Sequence, residues 1–331
     1  RLFIPMKNSE LRQDIVSGDW IVVAPGRSKR PHPKSVPKRK HIPKSRCPFE
    51  DPQKSGNKPP ILIYPDQKKW ELQIIENKYP AVMHYKICGK PMFKGPYPTM
   101  LAAGHHDVLI TRDHDKNFAH LSFKQANQVF QSLRDRYLML LNDPCLNYIF
   151  MMHNWGPTAG ASIYHPHYQI ISLPVVPPDV QHSLTGSSRY FHQHKKCVHC
   201  IMLDYELKEG KRIVFENAGA IAVAPFVSRS PFEVRVFPKK HSSYFENTLD
   251  QDMEYVVEAL QQVLKRFEKK LHDPDYNFFI HTAPLRDKKK FGHYHWHIEA
   301  FPRVSIRAAF EAGTGVDIND IDPDFAAKLL R

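Results

Sequence analysis

Two histidines and a glutamine occupy alternate positions in SIYHPHYQIISLP, Ser162 to Pro174. In an extended strand, side chains at i, i+2 and i+4 share a face, about 6.6 Å between successive members. His165, His167 and Gln169 are therefore expected to point one way, with Pro166 and Tyr168 on the other side. If the first imidazole is tied to a metal, the second is free and is presented rigidly beside it. Upstream, NWGPTAGAS (Asn154–Ser162) is a loop of small residues. It lets backbone N–H groups and the Asn154 and Ser162 side chains come close to a phosphate.

The elements that must position these groups occur twice. CPFE (47–50), IIENKYPAV (74–82), HDVLITRDH (106–114), a helical stretch over 123–141, NDPCLNYIFM (142–151) and HPHYQIISLP form one series. CVHC (197–200), VFENAGAIAVAP (214–225), FEVRVFPKKH (232–241), a helical stretch over 250–271, HDPDYNFFIH (272–281) and HWHIEAFP (295–302) repeat it in order. From Asp143 and Asp273 onward the offset is constant at 130, so His165 falls on His295, His167 on His297 and Gln169 on Glu299. Apolar stripes at Ala126, Val129, Phe130, Leu133 and Tyr137, and at Met253, Val256, Val257, Leu260 and Leu264, mark two amphipathic core helices. The expected fold is α+β: two tandem units, 1–174 and 197–331, with antiparallel sheets that pair and one packed helix each. A Pro-, Ser- and His-rich connector, 175–196, joins them.

The repeat also assembles metal ligands. Cys197-Val-His-Cys200 has the spacing of a zinc corner, and the landmarks of the second unit add His241 and His295, a closed Cys2His2 set. The same positions in the first unit hold Cys47, Glu50, His114 and His165. A carboxylate is an acceptable though harder zinc ligand, so this set is a weaker site, a relic, or a site for another divalent metal. His199 is expected to point away, and Cys88 and Cys145 to be plain core residues. Only the first unit carries a small-residue loop; the second has PLRDKKKFGHY in its place.

Bulk properties narrow the partners. A chain of 331 residues with 42% hydrophobic and 11% aromatic residues fills a real core. The net charge of +13 favours anionic partners. Nine Lys/Arg lie between Arg27 and Arg46, interleaved with prolines, as a solvated arm or a phosphate-binding one. Without a nucleic-acid motif, none of that class is expected as a partner. No apolar run approaches membrane-spanning length, the first residues lack a signal-peptide pattern, and a short native N-terminus is expected before Arg1. Five cysteines, an odd number, point to a reducing, cytoplasmic setting rather than a disulfide framework.

The segment NWGPTAGASIYHPHYQ resembles the active site of galactose-1-phosphate uridylyltransferases, in the transferase branch of the histidine-triad superfamily. The likeness runs nearly end to end, through GRSKRP (26–31), ENKYPA (76–81), GHHDVLITRDH (104–114), APFVSRSPFEVRVFPKKH (224–241) and FEAGTGVDIN (310–319). It implies a homodimer whose subunits both contribute to the site. His167 matches the nucleophile and Gln169 the glutamine that hydrogen-bonds the transferred phosphoryl group. Asn154, Gly160 and Ser162 match the phosphate loop, Arg27 and Arg30 the arginines near the phosphates, and Asn77 a nucleotide-side asparagine. Cys47, His114 and His165 match zinc ligands, and the second set resembles a branch with a second zinc. His281, His297 and Glu299 lie near positions that hold iron or zinc elsewhere in the family.

The implied reaction is ping-pong exchange of UMP between UDP-glucose and galactose 1-phosphate through a uridylyl-histidine. Three departures from the family stand out. Glu50 replaces a cysteine, Tyr168 stands where glycine is common, and FEAGTGVDIN lacks the Tyr-Glu pair that grips the hexose. Thr314 and Gly315 sit there instead, resembling relatives that adenylylate or phosphorolyse nucleotide sugars. ADP-glucose phosphorylase or diadenosine tetraphosphate phosphorylase activity is therefore the alternative. A zinc-stabilised nucleotide- or nucleic-acid-binding protein without catalysis is the remaining reading.

Overall fold

A computed structural model describes residues 8–29 and 39–331. Its centre is one ten-stranded sheet. In chain order the strands are β1 (Leu62–Tyr64), β2 (Leu72–Glu76), β3 (His105–Thr111), β4 (Tyr148–Trp155) and β5 (His167–Leu173). The second half supplies β6 (Ile213–Glu216), β7 (Ala220–Val223), β8 (Val234–Pro238), β9 (Tyr276–His281) and β10 (His297–Pro302). The spatial order is β6-β7-β8-β10-β9-β4-β5-β3-β2-β1. Each strand of one half thus mirrors the strand five places later in the other. The expected pairing of the two units is realised as a single sheet, joined where β4 meets β9 antiparallel with Asn154 opposite Asn277.

Alternation along the strands divides the sheet into two faces. Tyr168, Ile170, Met151, Phe278 and Ile298 face one continuous core, filled by α1 (Phe123–Leu140) and, further along the chain, by the 22-residue α4 (Asp250–Leu271). Both helices lie where the apolar stripes place them. α1 starts at a capping box: Ser122 Oγ accepts from the Gln125 N–H, and Gln125 Oε1 accepts from the Ser122 N–H. α4 carries Asp250 and Asp252 in its first turn and Lys269 and Lys270 in its last, each opposing the helix dipole favourably. On the other face stand Gln169, Ile171, Phe150, Asn154, Phe279 and Glu299, all partly exposed.

Between the halves, the segment expected as a connector is largely α2 (Pro178–His194), followed by α3 (Val198–Glu209). A short α5 (Ala309–Thr314) leads into a strand, Asp317–Asn319, that pairs in parallel with Trp20–Val23; α6 (Pro323–Leu330) packs against α4. The expectation for Cys88 and Cys145 is corrected: they form a disulfide, with sulfurs 2.03 Å apart across 57 residues of chain. No helix of the described residues is long and apolar enough to cross a membrane.

Candidate active site

His167 opens β5 directly after Pro166, and the residue is 7% exposed. Its Nδ1 lies 2.9 Å from the carbonyl oxygen of His165. A carbonyl only accepts, so Nδ1 carries the proton and Nε2 keeps its lone pair. Burial holds the imidazole below its usual pKa, against a smaller upward pull from the His165 carbonyl, which favours the neutral ring. Phe49 meets the ring edge-on at 5.4 Å. Behind it, His153 Nδ1 donates to the His167 carbonyl oxygen (2.8 Å) and its ring stacks on Tyr168 at 4.6 Å. Tyr168 therefore faces the core and His167 the opposite side, as the alternation requires.

The phosphate-type loop bends out of β4. Gly156 has φ +87°, and a Cβ there would lie 1.9 Å from an Asp275 carboxylate oxygen, so only glycine fits. Gly160 is also left-handed, at φ +88°. Thr158 donates to Asp275 Oδ2 through its N–H (2.8 Å) and its hydroxyl (2.6 Å), while Arg39 holds Oδ1 at 2.8 Å. Asn277 Nδ2 donates to Asn154 Oδ1 (2.7 Å) and to the Ala159 carbonyl (2.8 Å). The loop of the first half is thus fastened by β9 of the second. Ser162 is exposed at the loop's end.

Gln169 stands on the same strand as His167, opposite Val108 of β3. Its Oε1 lies 2.9 Å from His106 Nε2, and Asn77 Nδ2 reaches the same nitrogen at 3.0 Å. Asn77 and His106 line a cavity of about 430 Å³. Arg27 is exposed in a short 3-10 turn, and Arg30 lies outside the described residues. Thr314 and Gly315 are exposed where α5 ends, and their hydrogen bonds are local: Thr314 Oγ1 binds the Phe310 carbonyl and the Val316 N–H.

Both expected metal sets converge. In the second, Cys200 Sγ lies 3.3 Å from His241 Nδ1 and 3.6 Å from His295 Nδ1, with Cys197 beside them. A tetrahedral zinc with ordinary bond lengths places sulfur and nitrogen ligands about 3.5 Å apart. In the first, Cys47 Sγ is 3.5 Å from His165 Nδ1, and Glu50 Oε1 is 2.9 Å from His114 Nδ1 and 3.7 Å from His165 Nδ1. His114, His165, His241 and His295 donate Nε2–H to the carbonyls of Ile42, Thr111, Gly292 and Pro238 respectively, leaving each Nδ1 free to bind a metal. Glu50 Oε1 and His114 Nδ1 are buried without a hydrogen bond. The second set gathers four donors as a tetrahedral cation requires, whereas in the first Cys47, His114 and His165 gather and Glu50 approaches only the two histidines.

The third group, His281, His297 and Glu299, also gathers, but Arg235 lies among it, with Nε 3.0 Å from Glu233 and 3.2 Å from Glu299. Burial alone would raise the Glu299 carboxyl; the charge of Arg235 and then of His281 overrides it and holds the group well below its usual range. Phe237 stacks on His297 at 4.7 Å. His199 is buried against Tyr294 and His297, away from the cysteine set. His106, Asp275, Asn277 and Arg303 have no role in the sequence reading above. GHHDV carries His106, HDPDYNFF carries Asp275 and Asn277, and Arg303 follows HWHIEAFP, but nothing local in those segments marks them.

Two tandem histidine-triad-like halves around such a strand define a nucleotidyltransferase of the galactose-1-phosphate uridyl transferase family, to which this chain belongs. The family's N-terminal domain matches residues 3–206 and its C-terminal domain residues 184–309. ADP-glucose phosphorylase of Arabidopsis thaliana is 33% identical over 98% of this chain and 93% of its own length. Galactose-1-phosphate uridylyltransferase of Thermotoga maritima is 27% identical over 97% and 98%. The crystal structure of the Arabidopsis phosphorylase with bound ADP-glucose superposes with a TM-score of 0.84 at 31% identity, covering 98% of this chain and 99% of that one. A uridylyltransferase structure gives 0.74 at 27%, covering 97% of each.

Proposed function

We propose that the protein transfers a nucleoside monophosphate from a nucleotide sugar by way of His167. The carrying observation is the neutral imidazole, its Nδ1–H given to the His165 carbonyl and its Nε2 lone pair left for attack. In the first step Nε2 bonds to the α-phosphorus, the bridging P–O bond breaks, and hexose 1-phosphate leaves with the electron pair. The Nδ1–H···O=C bond then stabilises the cationic ring. In the second step a phosphate oxygen of the acceptor attacks phosphorus and the P–N bond breaks. Leaving and entering groups are already anionic, so no strong general base is needed; position and donated hydrogen bonds supply the rate.

Two pairs of donor and acceptor follow from the relatives. Uridylyl transfer between UDP-glucose and galactose 1-phosphate is one. Adenylyl transfer from ADP-glucose to phosphate is the other, and we place it first. The 33% identity to the Arabidopsis phosphorylase supports it, as does Thr314-Gly315 in place of a hexose-gripping Tyr-Glu pair. Zinc would sit on Cys197, Cys200, His241 and His295, and on Cys47, Glu50, His114 and His165, where it fixes His165 and so the neighbouring nucleophile. A homodimer would bring the second copy's residues to the sugar.

The test is isotope exchange. Labelled glucose 1-phosphate is expected to enter ADP-glucose with no second substrate. Entry into UDP-glucose instead would favour the uridylyl reading, and no entry into either sinks both. A His167→Gly variant that exchanges at the wild-type rate removes the nucleophile.

A further inference from the structure

Gln169 and Asn154 can help a phosphoryl transfer only if their NH2 groups, not their carbonyl oxygens, face the reacting oxygens. Each amide is anchored through its oxygen. The Ala81 backbone N–H points at His106 Nδ1, 3.0 Å away. A backbone N–H only donates, so His106 Nδ1 accepts and its proton resides on Nε2. That Nε2–H faces Gln169 Oε1 at 2.9 Å, which leaves Gln169 Nε2 without a hydrogen-bond partner among the described residues. The 3.0 Å approach of Asn77 Nδ2 to His106 Nε2 sets two donors together and is not a hydrogen bond in this tautomer.

A parallel chain reaches Asn154. Arg303 Nε, a donor that cannot reverse, gives its hydrogen to Asn277 Oδ1. Asn277 Nδ2 must then donate, and it does so to the Ala159 carbonyl and to Asn154 Oδ1. Asn154 Nδ2 is left toward the loop, 3.8 Å from where a Cβ of Gly160 would stand. Both chains start at an obligate donor and end at an amide nitrogen.

We infer that His106 is a positioning residue that locks the Gln169 amide with its NH2 toward the transferred phosphoryl group, as Arg303 and Asn277 lock Asn154. This deepens the transferase reading and rests on it. The second half lacks the device: the strand position of His106 is taken by Glu233, that of Val108 by Arg235 and that of Gln169 by Glu299.

The experiment measures single-turnover formation of nucleotidyl-histidine from whichever nucleotide sugar the wild type exchanges. His106→Glu, an acceptor, turns the Gln169 NH2 inward and is expected to slow formation ~100-fold, with KM changed less than about threefold. His106→Gln, which can donate to Oε1, should restore the rate to within about tenfold of wild type. In a Gln169→Ala background, His106→Glu should cost less than about threefold more, because the two act as one unit. Asn277→Asp should behave toward Asn154 as His106→Glu does toward Gln169. Additive losses, or a Gln variant as slow as the Glu one, overturn the proposal. ¹⁵N spectra of histidine-labelled protein, assigned with His106→Gln, decide it without any turnover. The Nε2–H tautomer is expected and an Nδ1–H tautomer refutes it. A wild type inactive toward every nucleotide sugar would sink the transferase reading, while the tautomer still tests His106.

Discussion

Strand for strand, the two halves are built alike, yet their open faces carry opposite chemistry. In the first, β3 and β5 bring His106, Val108, His167 and Gln169 together, and the groups turned outward are a lone pair and amide donors. In the second, β8, the residue before it and β10 bring Glu233, Arg235, His297 and Glu299 together. There the charges satisfy one another: Arg235 is clasped by both glutamates, and Phe237 stacks on His297. The scaffolds differ little, since His297 Nδ1 also faces its neighbour's carbonyl, 3.1 Å away at His295. A nucleophile therefore needs more than the histidine strand. It needs unspent donors around it and a loop that admits phosphate. The second half has instead become a brace, and its Asp275 and Asn277 hold the loop of the first.

The comparison breaks most directly at the proposed nucleophile. His167→Gly is expected to abolish exchange, by ~1000-fold or more, as covalent nucleophiles do. His297→Gly should change it less than about threefold, both read by the isotope assay. Equal losses would mean that the halves are not divided in this way. Next comes the glutamine. Gln169→Glu makes the first half resemble the second and sets a carboxylate against incoming phosphate, so exchange should fall roughly 100-fold. The reciprocal Glu299→Gln should confer no exchange on a His167→Gly chain.

The proposed metal sets differ by one ligand, Glu50 against Cys200, and only the second has its four donors gathered. Thiolates hold zinc more tightly than carboxylates, so graded chelation should remove one metal first, and activity should fall with that first equivalent. Substituting Cys200→Ser should leave exchange within about threefold yet lower thermal stability, because that set ties α3 to β10 rather than holding the nucleophile's neighbour. Metal content by mass spectrometry along the titration checks both. Loss of the cysteine-rich site first would reverse the assignment.

Much of this division is legible in the chain, for identifiable reasons. Alternation in a strand has a period of two, so the facing of His167 and Gln169 follows from spacing alone. The helical stripes place α1 and α4, the repeated order of landmarks carries Cys197, Cys200 and His241 onto their first-half counterparts, and the constant offset does the same for His295. What escapes is contact between residues distant in sequence. Asp275 meets Thr158 across 117 residues, and nothing beside it in HDPDYNFF says that its carboxylate caps a loop. The Cys88–Cys145 bond joins a segment outside the sheet to the turn before β4, with no spacing pattern to announce it. The Gln169 anchor depends on a backbone N–H at Ala81, whose donor carries no side-chain signature at all.

The smallest expected effect separates the halves by pH. His153 lies fully buried behind His167, and the residue 130 places on is Ala283, also buried but unable to titrate. Burial pulls His153 down to about 3, against the upward pull of the His167 carbonyl, while the unfolded chain binds its proton near the ordinary histidine value. Its folded pKa being depressed, the stability it confers is complete above roughly pH 6.5 and drains away as the pH falls toward 3. At pH 5 the loss is about 2 kcal/mol relative to neutrality, taking ~1.4 kcal/mol per pH unit over the interval below 6.5. His153→Phe fills the same stacked position on Tyr168 without a titratable group, at the cost of one hydrogen bond. Its urea midpoint should start near or slightly below wild type at pH 7 and decline less by pH 5. Acid release of any metal held by the proposed sets would be common to both chains and would cancel in their difference. Parallel declines would show that His153 is charged in the folded protein, and the packing behind the nucleophile would then have to admit water.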